Sequence, residues 1–196
     1  MKVYLIRHGR TAYNDQKRYQ GQADIPLSEL GRRELMPAPF AADTVYVSPL
    51  SRARESAAIL FPGALQITVE GFTEFAFGAF EGRSYLDMAE DAAYRAWVDG
   101  GCEGRCPGGE SLAEFRARTC DAFLTLLQDA LARGDERLVI VAHSGTLRAI
   151  LERFALPERG YFAWNPPCGC GYALAFDGEK LRLSESIRCV KEGPTC

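Results

Sequence analysis

The chain has 196 residues, of which 47% are hydrophobic and 25% are charged, and its net charge is −3. A chain of this length can bury a sizeable core without disulfides or metal ions, and we expect a single domain over residues 1–196. The negative net charge argues against nucleic acid or an anionic membrane as the main partner. No apolar run approaches the roughly 20 residues that span a bilayer, and the run at residues 3–6 is too short for a secretory signal. We therefore expect a soluble, cytoplasmic protein.

Apolar periodicity and turn-forming residues divide the chain into alternating strands and helices. The predicted strands are residues 3–6, 44–47, 137–142, 172–176 and 181–187. The predicted helices are residues 28–36, 51–60, 83–99, 111–132 and 147–154, whereas residues 66–82 and 100–109 are expected to be irregular. Ser111 and Glu114 form a capping box at the start of the longest helix, and Gly134 is expected to end it.

This alternation of strands and helices indicates an α/β fold. The segment RLVIVA at residues 137–142 is apolar almost throughout, which is typical of a strand buried on both faces of a parallel sheet. Asp177-Gly178 indicates a hairpin between the last two strands. We predict a three-layer α/β/α architecture with a mainly parallel central sheet.

The cysteine content is unusual for a protein without a secretory signal. An odd number of cysteines cannot pair fully within one chain, so free reduced thiols are the expected state. A split zinc site made of Cys102-x-x-x-Cys106 and Cys168-x-Cys170 is an alternative, although its spacing only half fits structural zinc. The seven cysteines are Cys102, Cys106, Cys120, Cys168, Cys170, Cys189 and Cys196.

The chain contains only two histidines, and both follow a predicted buried strand. His8 comes after VYLI and Arg7, and His143 comes after LVIVA. A single histidine at such a position is usually a satisfied core residue. Two at equivalent positions favour a function, because the carboxyl ends of parallel strands meet at the edge of the sheet where ligands bind.

A third strand end adds another positive charge. The strand at residues 44–47 leads into the segment SPLSRARESA, which places Arg52 in the first turn of a helix, where backbone N–H groups already favour an anion. Three strand ends therefore supply two arginines and two histidines. Guanidinium groups match phosphoryl oxygens, and an imidazole can attack phosphorus, so this combination indicates a phosphoryl site.

Together with these residues, an ordered series of motifs resembles the histidine phosphatase superfamily, the phosphoglycerate-mutase-like fold. The motifs cover residues 3 to about 151, and the ordered set is far more specific than the Arg-His-Gly tripeptide alone. They are LIRHG with Thr11 and Asn14, YQGQADIPLSELGR, SPLSRARESA, TEFAFGAFEG, PGGESL and VAHSGTLRAIL. The segment CPGGESLAEFRAR is similar to the branch that contains α-ribazole phosphatase.

The resemblance implies a role for each matching residue. His8 would be the nucleophile, Arg7 and Arg52 would hold the phosphoryl oxygens with His143, and Glu74 would protonate the leaving oxygen. The implied substrate-binding residues are Thr11, Asn14, Gln20, Gly21, Ser144 and Gly145. No metal ion or other cofactor is implied, because guanidinium groups supply the positive charge.

Three positions are open at the level of the sequence. Glu81 is the rival acid and ranks second to Glu74; its other role would be that of a loop carboxylate that stabilises the bend at Gly82. Glu110 is either a substrate contact or an acid near the start of the following helix. Arg10 stands where the family often has Glu or Gln, and it either makes the pocket more cationic or lies at the surface.

The expected activity is hydrolysis of a small phosphomonoester, with α-ribazole 5′-phosphate as a candidate substrate. The mutases of the family have a longer middle segment that shields the phosphohistidine from water, so this shorter chain favours hydrolysis. Phosphoglycerate-mutase-type transfer and a non-catalytic phospholigand-binding module are the alternatives. The oligomeric state cannot be read from the sequence.

Overall fold

The computed structural model describes residues 1–191, so Cys196 lies outside the described residues. Strands and helices alternate along the chain, as the sequence predicts. The strands are β1 (Lys2–Arg7), β2 (Thr44–Val47), β3 (Leu65–Thr68), β4 (Arg137–Ala142), β5 (Ala155–Leu156), β6 (Cys170–Phe176) and β7 (Leu181–Arg188). The helices are α1 (Ala12–Asp15), α2 (Glu29–Glu34), α3 (Ser51–Leu60), α4 (Ala92–Asp99), α5 (Leu112–Arg133) and α6 (Ser144–Phe154).

These strands form one sheet in the order β3-β2-β4-β1-β6-β7-β5. The first four strands along the chain pair in parallel, whereas β6 is antiparallel to both β1 and β7. β1 and β4 pair residue for residue, from Lys2 opposite Arg137 to Arg7 opposite Ala142. The mainly parallel α/β architecture predicted from the sequence is confirmed, and the register brings the ends of β1 and β4 level with each other.

Each face of the sheet is covered by its own hydrophobic core. Successive side chains of a strand point to opposite faces. Val3 and Leu5 of β1 belong to the cluster that contains Phe123 of α5 and Ile150 of α6. The intervening residues of β1 belong to a second cluster, which contains Leu60 of α3. The helices therefore form a layer on either side of the sheet.

The helix predicted over residues 83–99 is wrong in its first half. The helix begins only at Ala92, because the Asp91 side chain caps it by accepting hydrogen bonds from the N–H groups of Ala93 and Tyr94. Before it, Ser84 and Asp87 hydrogen bond to each other in a turn. Such local bonds offer the backbone an alternative to the helix.

Two further boundaries differ from the sequence-based expectation. Residues 65–68, which precede and overlap the segment expected to be irregular, form β3 at the edge of the sheet, where Leu65 is 62% exposed. Helix α6 begins at Ser144 rather than at Leu147, with His143 as its N-cap residue. Its first turn therefore lies directly beside the second histidine.

Within residues 1–191, no group of three or more His, Cys, Asp or Glu side chains is placed to hold a metal ion. Cys102 and Cys106 are free thiols, and burial raises the pKa of Cys106 to about 12. The described cysteines therefore do not assemble the split zinc site. No helix in the same range combines the length and the apolar character needed to cross a bilayer.

Candidate active site

The two histidines lie side by side at the carboxyl-terminal edge of the sheet. The N–H of His8 donates to the carbonyl of Ala142 at 2.9 Å, which continues the pairing of β1 with β4 by one residue. The centroids of the His8 and His143 rings are 5.2 Å apart, with an angle of 62° between the ring planes. Both side chains are buried. The parallel register of β1 and β4 is thus the direct cause of their proximity.

His8 is held as a neutral imidazole. Burial, reinforced by the charges of Arg52 and Arg7, lowers its pKa well below the ordinary value of 6.5. Its Nδ1 lies 2.6 Å from the carbonyl oxygen of Gly9. A carbonyl can only accept, so Nδ1 carries the proton and Nε2 keeps its lone pair. The ring is therefore fixed in the tautomer that leaves the Nε2 lone pair available.

Arg52 is fully buried and its position is fixed by three acceptors. Its Nη1 and Nη2 donate to the carbonyls of Ala23 and Gly21 at 2.8 and 2.7 Å. Its Nε donates to Nδ1 of His143 at 3.3 Å. Because Nδ1 of His143 accepts, its Nε2 carries the proton and donates to the Ser48 hydroxyl at 2.6 Å. Burial and then the Arg52 charge lower the pKa of His143, so this ring too is neutral.

Two buried donor groups beside the histidines lack a hydrogen-bond partner in the part of the chain that the structure describes. Arg7 donates from Nη1 to the carbonyl of Pro166 at 3.0 Å, but its buried Nε has no hydrogen-bond partner among residues 1–191. The same is true, within that range, of the Ser144 hydroxyl at the start of α6. Leaving a buried donor unpaired costs about 1–3 kcal/mol. An incoming acceptor oxygen would relieve that cost, and the N-terminus of α6 also favours a negative charge there.

Four of the predicted substrate-binding residues form one hydrogen-bonded wall. Thr11 caps α1 in a capping box with Asn14, whose Oδ1 accepts from the Thr11 N–H at 3.0 Å. The Thr11 hydroxyl also lies 2.8 Å from Oε1 of Gln20. Gly21 follows, with a φ of 53°, and supplies the carbonyl that accepts from Arg52. This wall therefore connects the loop after β1 with the buried guanidinium.

Glu74 lies against the first turn of α6. Its Oε2 accepts from the N–H of Gly145 at 3.1 Å, and its Oε1 accepts from the N–H of Phe75 at 2.9 Å. A Cβ atom added to Gly145 would lie 2.3 Å from Oε1 of Glu74, so the carboxylate occupies the space that a side chain would need. The structure thus brings Glu74, Ser144 and Gly145 together at one point.

The other two acidic residues considered from the sequence have structural contacts. Glu81 accepts from the backbone N–H groups of Gln22, Ala23 and Phe77, and so joins two loops. Glu110 accepts from the N–H of Ala76 at 2.8 Å and pairs with an arginine of α5. Both carboxylates are therefore committed to holding loops around the site.

Arg10 has carboxylate partners. Its side chain forms an ion pair with Asp15 and lies 3.9 Å from the carboxylate of Glu34, and it is 22% exposed. Two acidic groups therefore compensate its charge.

Arg118 of α5 was not singled out from the sequence. It donates to the carbonyls of Gly71, Thr73 and Glu74 at 3.1, 2.7 and 2.9 Å, and it pairs with Glu110. Its carbonyl partners lie 44 to 47 residues earlier in the chain, so no local pattern could reveal them. Arg118 holds the loop that carries Glu74.

A pocket of about 290 Å³ opens beside Glu74, Ser144 and Gly145. Most of its remaining wall is aromatic. The rings belong to Tyr19, Phe75, Phe77, Trp97, Tyr161 and Phe162. A larger cleft of about 600 Å³ lies beside Thr44 and Arg137, the first residues of β2 and β4. Neither His8 nor His143 lines either of these two pockets.

Comparison with known proteins identifies the family. Residues 3–186 match the histidine phosphatase superfamily (branch 1). A protein of Hydrogenobacter thermophilus named "Putative phosphoserine phosphatase 2" is 30% identical over 159 residues, which cover 76% of each chain. The 2,3-bisphosphoglycerate-dependent phosphoglycerate mutase 2 of Gloeobacter violaceus is 32% identical over 167 residues, covering 76% of this chain and 73% of that protein.

Solved structures share the whole architecture. The alpha-ribazole phosphatase of Shigella flexneri superposes with a TM-score of 0.83 over 96% of both chains, and its 23% identity shows the common fold. The phosphoglycerate mutase of Thermus thermophilus superposes with a TM-score of 0.70 and is 30% identical, covering 95% of this chain and 98% of that one. The family predicted from the ordered motifs is confirmed: the chain belongs to branch 1 of the histidine phosphatase superfamily.

Proposed function

We propose that this chain hydrolyses a small phosphomonoester through a phosphohistidine intermediate on His8. The observation that carries the proposal is the state of His8, a buried neutral imidazole whose Nδ1 proton is held by the Gly9 carbonyl, between two arginines. A histidine that served only to fill the core would not need two guanidinium charges beside it. The same charges are complementary to a phosphoryl group.

In the first step Nε2 of His8 attacks phosphorus and forms an N–P bond. The ester P–O bond breaks, and its electron pair leaves on the ester oxygen, which takes a proton from Glu74. Arg7 and Arg52 stabilise the negative charge on the phosphoryl oxygens as the transition state forms. A positioned acid of this kind contributes about 10² to 10⁴ in rate.

In the second step a water molecule attacks the phosphohistidine. Glu74, now a carboxylate, takes a proton from that water, the N–P bond breaks, and inorganic phosphate leaves. His8 is again neutral and Glu74 is again protonated, so the cycle closes. Splitting one difficult displacement into two easier ones is the general advantage of a covalent intermediate.

The remaining residues position these groups. His143 orients Arg52, while Ser144 and the first turn of α6 offer donors to the phosphoryl oxygens. The wall made of Thr11, Asn14, Gln20 and Gly21 closes the side of the site next to Arg52. We propose no metal ion in the reaction, because the guanidinium groups supply the charge stabilisation that magnesium supplies elsewhere.

The substrate is a small phosphorylated metabolite, and α-ribazole 5′-phosphate is one candidate. Support for hydrolysis comes from the phosphatase named among the relatives, and support for phosphoryl transfer between substrates comes from the mutase. A binding module without catalysis is the third possibility, but His8, Glu74, Arg7 and Arg52 all remain in place. We propose a single cytoplasmic domain over residues 1–196 with no nucleic-acid or membrane partner.

Turnover of p-nitrophenyl phosphate in the presence of EDTA tests this function. We expect metal-independent release of phosphate, and an acid-labile, base-stable phosphoenzyme when the reaction is quenched in base. His8→Ala should abolish both signals while circular dichroism shows an intact fold. Normal turnover in His8→Ala would remove the nucleophile assignment, and binding of phosphate without turnover in the natural chain would indicate the binding module.

Hydrolysis and mutase activity can be separated with phosphoglycerates. A hydrolase should release inorganic phosphate from 3-phosphoglycerate without forming the 2-phospho isomer. Isomer formation that outpaces phosphate release would identify a mutase. A screen that includes α-ribazole phosphate, sugar phosphates and nucleotides would then rank the candidate substrates.

A further inference from the structure

The pocket of about 290 Å³ shares three residues with the proposed phosphoryl site. Glu74, Ser144 and Gly145 line it, and these residues also border the place where the ester bond would break. A group bound in this pocket would therefore be attached to phosphorus through the oxygen that Glu74 protonates. The pocket is in the position of a leaving-group subsite.

One wall of the pocket is a cluster of aromatic rings. The Tyr19 and Phe77 centroids are 4.8 Å apart, and the Trp97 ring lies 6.1 Å from each of them. Phe75 extends this cluster, with its centroid 4.7 Å from that of Phe77. These contacts are mostly edge-to-face, which is the arrangement that the charge distribution of aromatic rings favours.

Arg148 shapes another part of the wall. It lies four residues after Ser144 in α6, so the two side chains are one helical turn apart on the same face. Its Nε donates to the carbonyl of Trp164 at 2.7 Å, and its guanidinium carbon lies 5.8 and 5.9 Å from the ring centroids of Tyr161 and Phe162. Arg148 is thus a fixed planar cation against two further rings.

We propose that this pocket binds an aromatic ring carried by the leaving group, so that the preferred substrates are phosphomonoesters of alcohols that bear such a ring. The proposal rests on the proposed function, because it assigns the leaving-group half of the same site. The available volume suffices, since a cavity of about 150 Å³ already holds benzene. Rings stack on aromatic faces and on guanidinium planes, and the lining contains six aromatic side chains and Arg148.

The lining disfavours the main alternatives. A polar sugar would lose hydrogen bonds to water against aromatic walls, and burying unpaired hydroxyls is costly. An aliphatic group would fill the space but would gain nothing from the ring quadrupoles or from the cation. An aromatic ring is the group that can contact both the aromatic side chains and the Arg148 guanidinium favourably.

Three alkyl phosphates with similar primary leaving oxygens test this inference: 2-phenylethyl, 2-cyclohexylethyl and ethyl phosphate. We expect kcat/KM for the phenyl compound to exceed that for ethyl phosphate by at least about tenfold, because the pocket buries the ring. It should also exceed the value for the cyclohexyl compound by about threefold to tenfold, which is the additional worth of aromatic contacts. Equal values for the phenyl and cyclohexyl compounds would overturn the aromatic assignment.

Phe162 offers a variant that should fold, because its side chain is 57% exposed while lining the pocket. Phe162→Ala should narrow the preference for the phenyl compound over ethyl phosphate about threefold to tenfold, and Phe162→Tyr should restore it. Tyr85→Ala is the matched control, because Tyr85 is 50% exposed and does not line the pocket. An equal narrowing in the control, or none in Phe162→Ala, would overturn the subsite.

Failure of this inference is distinguishable from failure of the proposed function. If His8→Ala removes hydrolysis of all three compounds, the phosphatase mechanism holds whatever their ranking. If the ranking is as expected but His8→Ala leaves it intact, the pocket assignment holds and the nucleophile assignment fails.

Discussion

Replacing Gly145 with alanine should damage catalysis without damaging the fold. The added Cβ would lie 2.3 Å from Oε1 of Glu74 and 3.1 Å from the hydroxyl of Tyr161. A separation of 2.3 Å cannot persist, and the atom in the way is the end of a flexible side chain. The Glu74 carboxylate should therefore move, while the backbone of α6 stays in place.

The size of the effect follows from the role of Glu74. The contact can be relieved by movement of the flexible Glu74 side chain, so we expect the midpoint of thermal unfolding to change by only a few degrees. Displacing the acid should reduce kcat/KM for alkyl phosphates by about 10² to 10⁴. p-Nitrophenyl phosphate, whose leaving oxygen needs little protonation, should lose about tenfold or less.

The assay compares steady-state kinetics for ethyl phosphate and p-nitrophenyl phosphate in the natural chain and in Gly145→Ala. Gly160→Ala is the matched control, because a Cβ at Gly160 would meet no atom within 4 Å. Equal losses for the two substrates would refute the assignment of Glu74 as the acid. Unchanged kinetics with both would refute the geometry from which the prediction is derived.

Three further perturbations test other parts of the site. Burial lowers the pKa of His8 and His143, so below pH 6.5 the unfolded chain binds protons that the folded chain does not. The free energy of unfolding, measured in urea, should therefore be level above about pH 7 and fall between about pH 6.5 and 5, by at most about 1.4 kcal/mol per pH unit for each histidine. A flat profile would contradict the burial of both histidines as neutral rings. Arg118→Met should lower kcat for ethyl phosphate about tenfold more than for p-nitrophenyl phosphate, because it frees the loop that carries Glu74, and equal losses would argue against that role. Glu81→Gln should lower the free energy of unfolding in urea by about 1–3 kcal/mol and raise KM, because one amide oxygen cannot accept the three N–H groups that the carboxylate accepts. Loss of turnover at unchanged stability would instead favour Glu81 as the acid.

The sequence predicted those features of the fold that depend on local patterns. The apolar run at 137–142 and the strand at 3–6 reappear as β4 and β1, and the capping box at Ser111 starts α5 as expected. The proximity of the two histidines also followed, because parallel strands fix which of their ends lie together. These inferences needed only periodicity, capping and the geometry of a parallel sheet.

What the sequence did not predict depends on contacts between distant residues. The roles of Glu81 and Glu110 became clear only when their backbone partners were visible, since a carboxylate in a glycine-rich loop looks the same in either role. The start of α4 at Ala92 was not predicted either, because capping by Asp91 and the turn before it compete with the helical pattern of the sequence. Arg118 has no signature at all, because its partners are loop carbonyls from another part of the chain.

These distant contacts explain how one acid is distinguished from its neighbours. Three glutamates lie near the site, and all three accept hydrogen bonds from the backbone: Glu81 from three N–H groups, Glu74 from two, and Glu110 from one. Glu110 also pairs with Arg118. Glu74 alone of the three also borders both the first turn of α6 and the aromatic pocket. The neighbouring carboxylates fix the two loops, and this rigidity gives Glu74 a defined position from which it can reach a leaving oxygen.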